Sequence, residues 1–193
     1  MTRILGVDPG LTRCGVGVID LAAGRRVSLV SVAVFRTAPT DELSARIGTI
    51  GAQIEALILE RKPDVIALER VYADVNVRSV MGTAQISGVV LMLAHKHGLP
   101  IALHTPTEVK AAVTGSGRAD KAQVGTMVAK ILGLTEVPKP ADAADSLAIA
   151  ICHAWRGAGA SVVSASQGSG SSLTAAQAAW QQAERAAARK REG

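Results

Sequence analysis

The stretch Ile4-Leu5-Gly6-Val7-Asp8-Pro9-Gly10, with Leu11–Asp20 (LTRCGVGVID) behind it, decides how this chain is read. Ile4, Leu5 and Val7 form a short apolar run of the kind that fills a strand buried on both faces. The run stops on a carboxylate, and Pro9-Gly10 turns the chain at once. Thr12–Asp20 then reads as a second strand, so the pair predicts a hairpin with Asp8 at the carboxyl end of a central strand. A buried carboxylate without a partner costs several kcal/mol, so such groups are paired or bound to a metal. Taken alone, Asp8 fits equally well as the acceptor that opens the Pro-Gly turn.

Working outward, residues 26–36 alternate loosely and suit a third strand. Residues 41–61 carry Leu43, Ile47, Ile50, Ile54, Leu57 and Ile58 at helical spacing, with Thr40 or Asp41 as the expected cap. Asp64–Glu69 (DVIALE) is a short buried strand that also ends on an acid. Residues 70–77 lack periodicity and read as a loop. Residues 78–97 predict a helix apolar around much of its circumference, buried by a core on one side and by a partner subunit on another. Residues 100–104 give a fifth strand, and Pro106 opens a short helix. A Gly-rich loop, Thr114–Ala119, leads to Asp120 and Gln123, which form a capping-box start for a helix through Leu132. The last helix of the body spans 141–155. The order predicts an α/β fold, a mixed five-stranded sheet with helices on both faces.

The body is expected to end at residue 156. In residues 157–172, thirteen of sixteen are Gly, Ala or Ser, the composition of a linker. Residues 173–193 form a basic Ala-rich tail, either helical or disordered. The tail holds four basic residues against two acidic ones, a net +2, which leaves +3 of the chain's +5 on the body. With a pI near 9.6, this balance suits a polyanionic partner. Cys14 and Cys152 form no spaced metal motif and read as buried thiols of a reducing compartment. No signal peptide or apolar run of membrane-spanning length is present, so the expectation is a cytoplasmic protein without a membrane partner.

Two predicted strands end in acids, Asp8 and Glu69, and the last helix places Asp142 and Asp145 on one face at i, i+3. If that helix packs near the strand ends, four carboxylates converge. Like charges in one pocket raise one another's pKa values, and divalent cations relieve the repulsion. Oxygen-only ligands point to Mg²⁺ or Mn²⁺. A pair of such ions roughly 3.5–4 Å apart can clamp the attacking and leaving oxygens of a phosphodiester.

With these residues in view, four segments together resemble the RuvC family of crossover-junction endonucleases, which have a ribonuclease-H-like fold. They are ILGVDPGLTRCGVGVI, DVIALERVYADVN, VKAAVTGSGRADKAQV and PADAADSLAIAICH, in the family's order and spacing over about residues 3–156. The resemblance implies that Asp8, Glu69, Asp142 and Asp145 are the metal ligands, with two Mg²⁺ per subunit for which Mn²⁺ substitutes. It implies a homodimer that resolves four-way (Holliday) DNA junctions by paired symmetric nicks in recombination and repair, working with a branch-migration motor of the RuvA and RuvB type. Lys110 and Lys121 match family lysines near the active site and would neutralise phosphate charge. Tyr72 stands where the family commonly has phenylalanine that stacks on a base at the crossover. Arg70 and Arg78 border the same loop, and Arg118 lies in the Gly-rich loop; each is a candidate backbone contact. His104 and His153 match no catalytic position. The residues alone also allow a phosphotransferase of the actin/hexokinase type, which starts with a similar strand but needs a second domain for which 156 residues leave no room.

Overall fold

In the computed structural model, residues 1–70 and 77–157 are described, with the side chains of 77–79 excepted. Five strands are present: β1 (Thr2–Asp8), β2 (Arg13–Leu21), β3 (Val27–Arg36), β4 (Val65–Glu69) and β5 (Ile101–His104). They form one sheet in the order β3-β2-β1-β4-β5, so β1 is the central strand, as its apolar run predicts. β1 pairs antiparallel with β2 and parallel with β4, which makes the sheet mixed. Five helices complete the described body: α1 (Leu43–Arg61), α2 (Val77–Lys96), α3 (Pro106–Thr114), α4 (Lys121–Leu132) and α5 (Ala141–Arg156).

The two-residue period of the strands sorts the core into two layers. Ile4, Ile19, Val65 and Ala67 point to one face and pack with Val109 of α3, Val124 of α4 and Leu147 of α5. Leu5, Val7, Val16, Ile66 and Leu68 point to the other and pack with Ile50, Ile54, Ile86 and Val90 of α1 and α2. Since Ile4 and Asp8 are four residues apart on one strand, Asp8 falls on the face that α5 covers.

Local signals set most boundaries. The expected capping box is present at α4, where the Asp120 side chain accepts from the Gln123 N–H and Gln123 reaches back. A second box, Thr105 with Glu108, opens α3 around Pro106. At α1 the expected cap is wrong. Glu42, rather than Thr40 or Asp41, accepts the Ser44 and Ala45 N–H groups. Asp41 accepts instead from the Ala38 N–H and closes the preceding turn, so the helix starts later. A 3₁₀ turn at Ala23–Arg25 between β2 and β3 has no counterpart in the sequence reading.

The linker expected at 157–172 and the tail at 173–193 lie, from residue 158 on, outside the described residues, as does Tyr72. Among the described residues, no helix is long and apolar enough to cross a membrane.

Candidate active site

Val7 of β1 is in register with Leu68 of β4. One residue further along the two parallel strands stand Asp8 and Glu69, on the same face of the sheet. Adjacent parallel strands are about 4.8 Å apart, so two acids at neighbouring strand ends meet unless something pushes them apart.

The other two acids arrive on α5, and glycines let that helix come close. Gly6, Gly15 and Gly17 lie on the face beneath it. A Cβ built at Gly15 would stand 2.1 Å from the Asp142 carbonyl oxygen, and one at Gly6 would stand 2.2 Å from that of Ser146. At Gly17 it would meet the Leu147 side chain at 2.8 Å. Any side chain at these positions would lift the first turns of α5 off the sheet. Gly15 is also the direct cross-strand partner of Asp8. The glycines of the opening hairpin thus set how near Asp142 and Asp145 lie to Asp8.

Asp8, Glu69, Asp145, Lys110 and Lys121 line one cleft of about 240 Å³, walled by Pro106, Val109, Val124 and Ile149. The Lys121 Nζ donates to Asp145 Oδ2 at 3.0 Å. Burial, followed by the charges of Glu69, Asp145 and Asp142, pushes the Asp8 carboxyl up to about 8. Glu69 is raised as well, by burial first and then by Asp145, while Lys121 and Lys110 oppose the shift. Lys121 is held above its ordinary value chiefly by its bond to Asp145.

Asp142 is placed differently from its helix neighbour. It is near enough to add to the charge felt by Asp8. Its side chain, however, pairs with Arg13, Nε to Oδ2 at 3.3 Å, and it lines a second cleft beside Gly10, Thr12 and Arg46. Sequence reasoning gives Arg13 no role; its one signal is a basic residue just after the Pro-Gly turn.

Among the described residues, no three Asp, Glu, His or Cys side chains form a preassembled metal cage. The donor set nevertheless suits a hard divalent cation. All the candidate ligands are carboxylates, and Asp8 is driven towards its protonated form by burial first and then by acidic neighbours, whose repulsion a cation would relieve. The positive charge at hand comes from Lys121 and Lys110 in the cleft and from Arg13 beside Asp142.

The remaining candidates lie around this centre. Arg118 is apart from the acids, in a cleft with Thr114, Ser116 and Gln123. Arg70 is exposed immediately after Glu69, and its N–H donates to the His104 carbonyl. Arg78 is in the first turn of α2, its side chain outside the described residues. His104 and His153 are buried and do not line the cleft of Asp8, Glu69 and Asp145. Their rings meet at 3.2 Å, Nε2 to Nδ1, and the His104 Nδ1 is 3.7 Å from the Cys152 Sγ. Burial first, then His153, lowers His104 to about 4, so the pair is a neutral packing element behind β5.

A family model described as crossover junction endodeoxyribonuclease RuvC matches residues 4–153. The crossover junction endodeoxyribonuclease RuvC of Leifsonia xyli subsp. xyli is 56% identical over 195 residues, covering 97% of this chain and 94% of its own length. That of Saccharopolyspora erythraea is 60% identical over 154 residues, covering 80% of this chain and 77% of its own. Among solved structures, Thermus thermophilus RuvC in complex with Holliday junction substrate is similar with a TM-score of 0.77 at 33% identity, over 81% of this chain and 94% of that one. The yeast mitochondrial Holliday junction resolvase shares the fold, with a TM-score of 0.59 at 17% identity over 80% of this chain and 79% of that one.

Proposed function

The chain belongs to the RuvC family of crossover junction endodeoxyribonucleases, and from that membership we propose that it resolves four-way DNA junctions by paired, symmetric, metal-dependent nicks. The observation that carries this reading is the cleft in which Asp8, Glu69 and Asp145 stand with Lys110 and Lys121 at the ends of two adjacent parallel strands. Asp8, Glu69, Asp142 and Asp145 would hold Mg²⁺, two ions per subunit, with Mn²⁺ as a substitute. When bound, the cations supply an activated water and charge neutralisation at the leaving 3′ oxygen.

The chain's own groups do the rest. Asp8 and Glu69, rigid at the strand ends, fix where the scissile phosphate must lie. Lys121 gives up its bond to Asp145 and Lys110 turns from the rim, so both ammonium groups can face the negative charge that builds on the phosphate. The walls Val109, Val124 and Ile149 limit water, which strengthens every charge interaction within. Tyr72, Arg70, Arg78 and Arg118 surround this centre in sequence and are proposed DNA contacts, Tyr72 by stacking on an unpaired base. The partners are a second copy of the chain and a branch-migration motor of the RuvA and RuvB type, in the cytoplasm. Residues 1–156 form the nuclease body, 157–172 a linker and 173–193 a tail.

The test is incubation with a labelled four-way junction, a duplex of the same sequence and single strands, with and without Mg²⁺. Symmetric nicks on the junction alone, only with the metal, are expected. Asp8→Asn and Asp145→Asn should each abolish nicking while junction binding survives. Unaltered cleavage by either variant would sink the ligand assignment.

A further inference from the structure

The cleft that Asp142 shares with the β1–β2 turn is built around two guanidinium groups. It has a volume of about 410 Å³ and is lined by Gly10, Thr12, Arg13, Arg46, Thr83 and Asp142, among others. Arg46, half-buried on α1, is held from two sides: its Nε donates to Thr37 Oγ1 at 3.0 Å and its Nη2 to Thr12 Oγ1 at 2.9 Å. The Thr37 hydroxyl in turn donates to the Leu11 carbonyl at 2.6 Å. The turn is also pressed against α2, where a Cβ at Gly82 would meet Leu11 Cβ at 3.1 Å. One cation is therefore locked in the wall of the cleft before any ligand arrives. The other, Arg13, is 56% exposed. It meets Asp142 through Nε at 3.3 Å.

A fixed guanidinium and an exposed one, on a groove that opens at a proposed metal ligand, make a site for a phosphodiester. Nothing in Asp142 explains Arg46, which does not touch it. We propose that this groove is a second phosphate-binding cleft, in which Arg13 and Arg46 hold a backbone phosphate of the cleaved strand next to the phosphate under attack. The inference rests on the nuclease reading above and adds the direction in which the bound strand leaves the catalytic cleft, towards the β1–β2 turn and the start of α2. Arg13 then has two duties. It keeps Asp142 in place through Nε and binds DNA through its terminal nitrogens.

The experiment measures junction affinity of the full-length protein as a function of salt, with Ca²⁺ in place of Mg²⁺ so that the DNA stays intact. Removing a single phosphate contact makes the slope of log K against log salt shallower by about 0.9. Arg13→Gln is expected to change the slope by about that amount and to weaken binding equally on junctions of different sequence, whereas Arg13→Lys keeps the slope. Arg26→Gln, at the opposite end of the sheet, should leave it unchanged. A wild-type slope in Arg13→Gln overturns the cleft, and reduced nicking with that slope would leave Arg13 serving Asp142 only. Phosphate-ethylation interference with the wild-type protein reads the same contact without a substitution. Interference at a phosphate flanking the nick supports the cleft, and interference confined to the scissile phosphate overturns it. A wild-type protein that binds junctions in this assay but never nicks them once Mg²⁺ replaces Ca²⁺ would overturn the nuclease reading while the salt slope still reports on the cleft.

Discussion

Asp8 concentrates the conflict on which the site depends. Its carboxyl is pushed from an ordinary 3.8 to about 8 by burial and by Glu69, Asp145 and Asp142. Between those values the unfolded chain has released a proton that the folded metal-free protein still holds. Stability therefore falls as pH rises from about 4 to about 8. Asp8→Asn removes the penalty. In chelator at pH 8, the variant is expected to melt higher than wild type by on the order of 5 °C, and the gap should close near pH 4. Thermal unfolding across that pH range is the check, and coincident curves would mean that Asp8 is not under strain. A carboxylate that destabilises its own fold is a mark of function, because selection for stability alone would replace it.

At the scale of elements, the site depends on how closely α5 lies on β1 and β2. Three glycines on one sheet face make that approach possible, and in strands such residues otherwise only weaken the structure. Gly15→Ala forces a methyl group into the space of the Asp142 carbonyl. It should destabilise the protein by about 1–3 kcal/mol or more, measured by urea unfolding. Because the displaced helix carries two of the four acids, nicking should fall further than junction affinity does. An active, fully stable Gly15→Ala protein would show that α5 can shift without consequence.

For the whole molecule, two surfaces matter. Helix α2 buries Ile86, Val90 and Leu93 in the core, yet leaves Met81 at 55%, Leu91 at 38% and Met92 at 54% exposed on its other side. An apolar stripe of this kind suits a two-fold contact between copies, and a two-fold junction suits a two-fold protein. Met92→Glu is expected to convert a dimer to a monomer in sedimentation and to abolish paired nicking. Dimers of unchanged stability would place the interface elsewhere. The second surface is the end of the body. α5 stops at Arg156, and Gly157 caps it with a positive φ. A chain truncated after Gly157 should melt within about 2 °C of the full chain and still nick junctions. A truncated protein that fails to fold would make the tail part of the core.

The sequence by itself determined the strand and helix order, the central position of the first strand, the two-faced core and the acids at the strand ends. These follow from local periodicity, turn residues and caps, which act over a few residues. Its failures were local competitions, as at the α1 cap, where three neighbouring polar residues could each serve. Only the tertiary structure decided that Asp145 joins Asp8 and Glu69 in one cleft while Asp142 turns to Arg13, and that Gly6, Gly15 and Gly17 seat the helix carrying both acids. Those outcomes depend on the distance and rotation of α5 relative to the sheet. That relation is set by packing between segments more than a hundred residues apart, and no pattern along the chain encodes it.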